Sequence, residues 1–418
     1  MKRREFIGNT VAIGGMASVV PISQLYSNVQ KQLSYNDSKT NYDVIVIGVG
    51  SMGSSACYHL AKQGHSVLGL EQFDIPHEIG SHTGQSRIIR KAYFEHPSYV
   101  PLLERAYKNW QSLEQAISSQ LYFKTGLLYF GPDKHLLIKG TQESAIKYGI
   151  EVNQLTQKEQ LKQFPQFKIP EDYTNLMEVD AGFVTPERAI LAFTEQALKC
   201  GAIIHVKEKT LEWWKKDGVI KVKTNKQTYK CKKLVLTTGA WTSKFAAVNN
   251  LEVTRQVMAW AQPKNWDMFD LNNFPCWTFA DPSVKGIYYG FPILPASSFG
   301  GPVGLKFAHH TKGILSDPEI VSRNISKEEG SILVEAIRKF IPEGIDNIHS
   351  MKTCLYTYSP DEHFILDFYN ENKDVVIAAG FSGHGFKFAS VIGEILSDLA
   401  IDGKTKYPID FLSAKRFN

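Results

Sequence analysis

One stretch constrains this chain more than any other: Val44-Ile45-Val46-Ile47-Gly48-Val49-Gly50-Ser51-Met52-Gly53, closed by Val67-Leu68-Gly69-Leu70-Glu71. The apolar run reads as a buried parallel strand, the glycines as a tight turn, and the next segment as a helix. A second apolar run then ends on an acid, completing a strand–helix–strand unit. Gly48 permits the turn, Gly50 lets backbone approach a pyrophosphate, and Gly53 lets the helix pack on the strand. The helix start at Ser51 and Met52 offers unpaired amides and a partial positive charge to phosphate. Glu71, 18 residues beyond Gly53, is spaced to accept from ribose hydroxyls. The stretch predicts dinucleotide binding; alone, it suits NAD and FAD equally.

A second glycine turn breaks that tie. Val375-Val376-Ile377-Ala378-Ala379-Gly380 reads as another buried strand, and Phe381-Ser382-Gly383-His384-Gly385-Phe386-Lys387 as the turn after it. Phe388, Val391, Ile392, Ile395, Leu396 and Leu399 then recur at spacings of three and four, one apolar helix stripe. A nicotinamide dehydrogenase has little need of two such anion sites. A flavin must hold both a pyrophosphate and an electron-accepting ring, so the pair fits FAD better. The turn lacks the Gly-x-Ser-x-Gly spacing of a nucleophile elbow, which argues against a serine hydrolase.

The 418 residues, 43% hydrophobic, are enough for two intertwined domains. A net charge of +5, with lysines scattered rather than clustered, argues against nucleic acid. Cys57, Cys200, Cys231, Cys276 and Cys354 show no C-x-x-C spacing, so neither zinc nor a disulfide framework is expected. His77 and His82 are five apart with Gly80 between them, which no helix places on one face, so no metal site is expected. Lys2-Arg3-Arg4-Glu5-Phe6-Ile7, followed by a short glycine-bearing apolar run to Ile22, reads as a twin-arginine export signal ending near residue 25. A polar linker, 23–41, should then lead to the folded body. The expectation is an exported, periplasmic protein, tethered to a membrane only if the signal stays uncleaved.

The fold class expected is α/β. A discontinuous FAD-binding domain takes residues 42–120, 185–250 and 345–405. A substrate domain on an antiparallel sheet takes 121–184 and 251–344. Ala202-Ile203-Ile204-His205-Val206 reads as a further strand of the nucleotide domain, and Lys233 to Trp241 as a strand ending in small residues at Gly239.

Three strings carry a family resemblance: Gly80-Ser81-His82-Thr83-Gly84-Gln85-Ser86-Arg87-Ile88-Ile89-Arg90, Lys352-Thr353-Cys354-Leu355-Tyr356-Thr357, and Ala379 to Lys387. In that order the chain resembles the monomeric sarcosine oxidase and N-methyltryptophan oxidase family of D-amino-acid-oxidase-like flavoproteins, from residue 42 to about 415. The resemblance implies oxidation of the C–N bond of a secondary, N-methyl amino acid. The products would be an aldehyde, a primary amine and hydrogen peroxide, from a monomer working on a small amino acid and oxygen. It implies FAD joined through a thioether to Cys354, and further cofactor contacts from Ser81, Val206, Gly239, Gly383 and Gly385. Arg90 and Lys387 resemble the pair that binds the substrate carboxylate, and Lys387 also borders the cofactor. Lys306 resembles the lysine that activates oxygen, and Arg87 the arginine beside the reactive edge of the flavin. His310, Tyr289 and Tyr356 resemble residues lining the substrate cavity, with His309 leaving the register open by one. The run Gly290 to Gly301 is longer than the family pattern and is expected at the cavity mouth, where it would set the size of the amine. An exported dehydrogenase that passes electrons to a quinone is the alternative reading. A cofactor-bearing scaffold is a third, disfavoured by the four cations together.

Overall fold

A computed structural model describes residues 19–33, 39–248, 250–370 and 372–417. The twin-arginine motif lies outside them. Around the strand Asn41–Ile47 an eight-stranded sheet assembles, parallel in its centre. The parallel order runs Ile203–His205, Val67–Leu70, Asn41–Ile47, Thr228–Leu236 and Asn372–Ala379. Val44 to Ile47, Leu234 to Leu236 and Val375 to Ala379 are apolar and buried because both faces are covered there, whereas Lys230 and Lys232 earlier in the fourth strand are exposed. On one face the helices Ser51–Lys62, Val100–Ile117, Pro186–Lys199 and Ala389–Asp402 share a core with Val44, Val46, Val235 and Val376. The lysine-rich segment after Glu208 forms a hairpin, Thr210–Lys216 with Val219–Thr224, at the sheet's edge.

The second large sheet has nine strands, antiparallel except where Cys276–Phe279 runs parallel to Leu127–Pro132. Its two longest strands, Glu252–Gln262 and Asn347–Tyr358, pair along nearly their whole length. The latter carries Cys354 and was grouped from sequence with the FAD-binding segments; the structure builds it into this sheet instead. The sheet's two faces divide the labour, since successive side chains alternate. Ala259, Trp277, Phe279 and Phe307 pack with Leu333, Ile337 and Phe340 of the amphipathic helix Lys327–Phe340. The other face is turned toward the nucleotide sheet.

The segment expected as a polar linker is partly a helix, Ile22–Leu33, with Leu25 and Val29 buried beside Leu191. Its apolar positions fall four apart, enough for one face to dock once a partner helix is present, though too few to announce a helix from sequence. Val20 is tied in as well: its amide donates to Ser119 Oγ at 3.0 Å, and its carbonyl accepts from the buried Arg188 at 2.5 Å.

Candidate functional site

A single long cleft runs from the first glycine turn to the second, with about 1690 Å³ of atom-free space, its open mouth included. At one end the cleft is made of backbone. Gly48 sits at φ +88°, a conformation that favours glycine, and a Cβ there would stand 2.6 Å from the Thr237 carbonyl oxygen. A Cβ on Gly53 would meet the Gly48 carbonyl oxygen at 1.8 Å, so helix and strand touch through a missing side chain. Gly50, by contrast, has only His82 Nδ1 near, at 3.9 Å, and with Ser51 and Met52 borders the cleft at the helix start.

Glu71 is buried beside that turn, its two oxygens accepting from the amides of Val49 at 2.9 Å and Phe73 at 3.0 Å. Burial raises its pKa, and those amides oppose the rise. Ser81, Gly239, Gly383, Gly385 and Lys387 also line the cleft. Val206 does not: the strand stops at His205, and Val206 packs partly into the core while Glu208 and Thr210 take the lining positions. The buried polar atoms His82 Nε2, Thr210 Oγ1, Thr278 Oγ1 and Thr357 Oγ1 have no partner among the described residues, and all four residues line this cleft. Unpaired buried polar atoms are costly, so their gathering here fits a large polar ligand. An open glycine turn, a buried acid beside it and this polar lining fit a dinucleotide.

At the other end the cleft is made of side chains from one sheet face. Register explains how residues scattered over the sequence meet. Trp260 lies opposite Lys306, Phe291 opposite Lys306, Ile287 opposite His310, Gln256 opposite Cys354, and Thr254 opposite Tyr356. Tyr289 is flanked by Thr278 and Ala308. Tyr289 and Tyr356 face each other with hydroxyls 3.3 Å apart. The one-residue ambiguity resolves: His310 lines the cleft, while His309 stacks on Tyr288 at 4.2 Å on the opposite face.

Cys354 and Lys306 lie just behind the lining, 1% and 2% exposed. The Lys306 ammonium donates to the carbonyls of Gly84 and Ser86, the latter at 2.7 Å, and to Ser86 Oγ at 3.2 Å. Burial, then repulsion from Arg87, pushes its pKa well below the ordinary value, with Glu187 pulling the other way. Arg87 donates to the carbonyls of Ser81 at 2.9 Å, Thr83 at 2.6 Å and Ser86 at 2.8 Å, so one guanidinium spans the whole loop. Burial raises the Cys354 thiol, and Arg87, Lys306 and Arg323 oppose that rise.

Arg90 and Lys387, paired by the resemblance, both line the cleft, each with its charge over the Tyr93 ring. The Arg90 guanidinium lies 4.2 Å from the ring centres of both Tyr93 and Phe94. Lys387 Nζ donates to the His384 carbonyl at 2.7 Å. Burial, then the neighbouring Arg90, lowers Lys387 to about 7. Sequence reasoning missed Glu95, whose two oxygens each accept from Arg90 Nη2 at 2.6 Å. Burial works to raise the Glu95 carboxyl, yet Arg90, His384 and Lys387 together lower it to about 2. Its place five residues after Arg90 in an aromatic loop was the available signal. His77 and His82 do come together, rings 4.7 Å apart, through the loop rather than a helix. Among the described residues no group of three metal-ligating side chains forms. The loop Gly290 to Gly301 is misplaced by the sequence reading. None of residues 292–301 lines the cleft; Ser298 accepts from Arg188 at 2.9 Å, and Gly300 from Gln85.

Comparison with known proteins agrees with this geometry. The FAD-dependent oxidoreductase (DAO) family model matches residues 43–399. Monomeric sarcosine oxidase of Arthrobacter sp. (strain TE1826) is 37% identical over 386 residues, 90% of this chain and 97% of that protein. N-methyl-L-tryptophan oxidase of Yersinia pestis (strain Pestoides F) is 31% identical over 90% of this chain and 100% of its own length. Among solved structures, L-proline dehydrogenase from P. horikoshii shares the fold, with a TM-score of 0.78 at 23% identity over 91% of this chain and 98% of that one. The two glycine turns, the sheet face between them and these relatives lead to one conclusion: the chain belongs to the FAD-dependent oxidoreductases of the DAO family, alongside the monomeric sarcosine oxidases and N-methyl-L-tryptophan oxidases.

Proposed function

We propose that this protein oxidises the C–N bond of a secondary N-methyl amino acid such as sarcosine, with oxygen as acceptor. The observation that carries the reading is the buried pair Arg90 and Lys387 at the end of the cleft that holds Tyr289, Tyr356 and His310. A buried carboxylate needs such partners. One cation at ~4 Å returns roughly 4 kcal/mol at an intermediate dielectric. Arg90 adds a planar fork that fixes the orientation of a carboxylate. A substrate carboxylate must compete with Glu95 for that fork.

FAD, when bound, would supply the redox chemistry, a hydride acceptor for the carbon next to nitrogen and a two-electron donor to oxygen. The chain's residues do the rest. Gly48, Gly50, Gly53 and Glu71 hold the nucleotide end. Tyr289, Tyr356 and His310 enclose the substrate and exclude water around it. Burial keeps His310 neutral, its pKa lowered to about 4, so it presents no competing cation to the carboxylate. Lys306 and Arg87 provide positive charge where oxygen becomes an anion. No residue is needed as a strong base if the amine binds uncharged.

Cys354 is proposed as the covalent anchor of the flavin. A thiolate is the attacking species; burial raises the Cys354 thiol, and Arg87, Lys306 and Arg323 hold back part of that rise. Acid precipitation of the yellow protein tests this: colour should stay with the pellet, and Cys354→Ser should release it to the supernatant. A peroxide-detecting screen of N-methyl amino acids on the purified protein tests the activity; no peroxide from any of them would sink it. Export by the twin-arginine route is proposed from residues 2–22, and fractionation of producing cells checks it.

A further inference from the structure

A carboxylate that neither resemblance nor the cleft lining singles out stands behind the oxygen-activating lysine. Glu187, in the first turn of the helix Pro186–Lys199, does not line the cleft. Its oxygens accept from the amides of Gly84 at 2.6 Å and Gln85 at 3.1 Å. Those two residues begin the turn whose carbonyls, on Gly84 and Ser86, receive the Lys306 ammonium. Gln85 is held at φ +66°, a backbone state that a non-glycine residue adopts only when its surroundings impose it. Its side chain is held too, accepting from Trp260 Nε1 at 2.8 Å and donating to the Gly300 carbonyl. Beyond its contacts with Lys306 and Arg87, the turn is therefore held by Glu187, Trp260 and Gly300, and Glu187 is the anion among them.

We propose that Glu187 is a positioning residue for oxygen reduction: its carboxylate fixes the Gly84–Ser86 turn against Lys306 and balances the buried Arg87–Lys306 pair. This rests on the reading of Lys306 given above. Two buried cations repel each other, and an ammonium out of water tends to lose its proton. The groups facing Lys306 are Arg87, Glu187, Cys354 and Cys276, with the Trp260 and Phe291 rings over its ammonium. Glu187 is the carboxylate in that set. Carbonyl and hydroxyl oxygens around Nζ favour the cation, burial and then Arg87 oppose it, and Glu187 offsets part of that opposition.

The test is reoxidation of the holoenzyme, reduced with dithionite and mixed with oxygen over a range of pH, so that substrate identity does not enter. Glu187→Gln should reoxidise roughly tenfold more slowly at neutral pH. The pH at which its rate falls should drop by about one unit, since the cation is then lost earlier as pH rises. Glu187→Asp keeps the charge with a shorter reach, so it should slow the reaction while leaving that midpoint in place. It also serves if the glutamine variant fails to fold. Combining Glu187→Gln with Lys306→Met should give no further slowing beyond Lys306→Met alone. Wild-type rate and midpoint in Glu187→Gln, with Lys306→Met slow, overturns the role of Glu187. A wild-type rate in Lys306→Met overturns the reading of Lys306 itself and, with it, the proposal.

Discussion

The two ends of the cleft are built by opposite means. Around Gly48 and Gly50 the binding surface is backbone, shaped by side chains that are absent. Around Arg90, Lys306 and Lys387 it is side chains, each buried and each held by an oxygen from a loop. A backbone surface is rigid and indifferent to pH, because amides do not titrate. A surface of buried cations is conditional: each charge survives only while its partners do. The nucleotide end should therefore fail by steric clash, all or none, and the reactive end by degrees and with pH.

Gly53→Val puts a side chain where even a Cβ stands 1.8 Å from the Gly48 carbonyl oxygen. The expected result is loss of soluble flavin-bearing protein, read as the absorbance of the purified product. Gly50→Ala sharpens the point, since its nearest neighbour is 3.9 Å away. That variant should fold yet hold FAD less well, because its methyl group faces the cleft.

At the reactive end, Arg90→Met removes the fork and strands the buried Glu95 carboxylate. Breaking a buried pair costs about 3–5 kcal/mol. The KM for the amino acid should rise by roughly two orders of magnitude, with FAD retained. A normal KM would mean that the carboxylate binds elsewhere.

Lys387 gives the pH test. Its folded pKa is about 7, so it is charged below that value and neutral above it. Affinity for propionate, which carries no amine to titrate, should be full below neutrality and fall as pH rises through 7. The loss should approach about tenfold per unit. Lys387→Met should weaken binding at low pH and flatten the profile.

The smallest effect belongs far from either end. Leu25, buried on the N-terminal helix, packs near Val29 and Leu191. Leu25→Ala should lower stability by about 2–3 kcal/mol, seen as a reduced melting temperature, while kcat stays the same. A fall in kcat would mean that the helix reaches the site through Arg188 and the Ser298 loop.

How much was legible follows the same division. The nucleotide end is a contiguous string, and the strand, turn, helix and acid stand where their spacing implied. The reactive end was legible only through a resemblance, because its residues come from the separate strands Arg87–Ile89, Ile287–Phe291, Leu305–His310 and Asn347–Tyr358 and from the turns that carry Arg90 and Lys387. Spacing offers no reason for Gln256 to face Cys354, nor for Lys306 to lie opposite both Trp260 and Phe291. The errors share that origin. Val206, which the resemblance sets at the cofactor, stands one residue past the strand's end at His205. The Gly290–Gly301 run was taken to the cavity mouth because it follows Tyr289, yet its chain folds back toward Gln85 and Arg188. Glu95 and Glu187 were passed over because an acid becomes noticeable only when its cation is known.

The sequence by itself determined the strand periods, the two glycine turns and the acid that ends the second strand. These depend on interactions within a few residues, which local spacing encodes. Only the tertiary structure decided which face of the nine-stranded sheet would meet the cleft and which carboxylate would stand behind each buried cation. It also decided that residues 22–33 would dock as a helix. Pairing register and burial are properties of whole sheets, and the lowered pKa values of Lys306 and Lys387 follow from burial that no single segment carries.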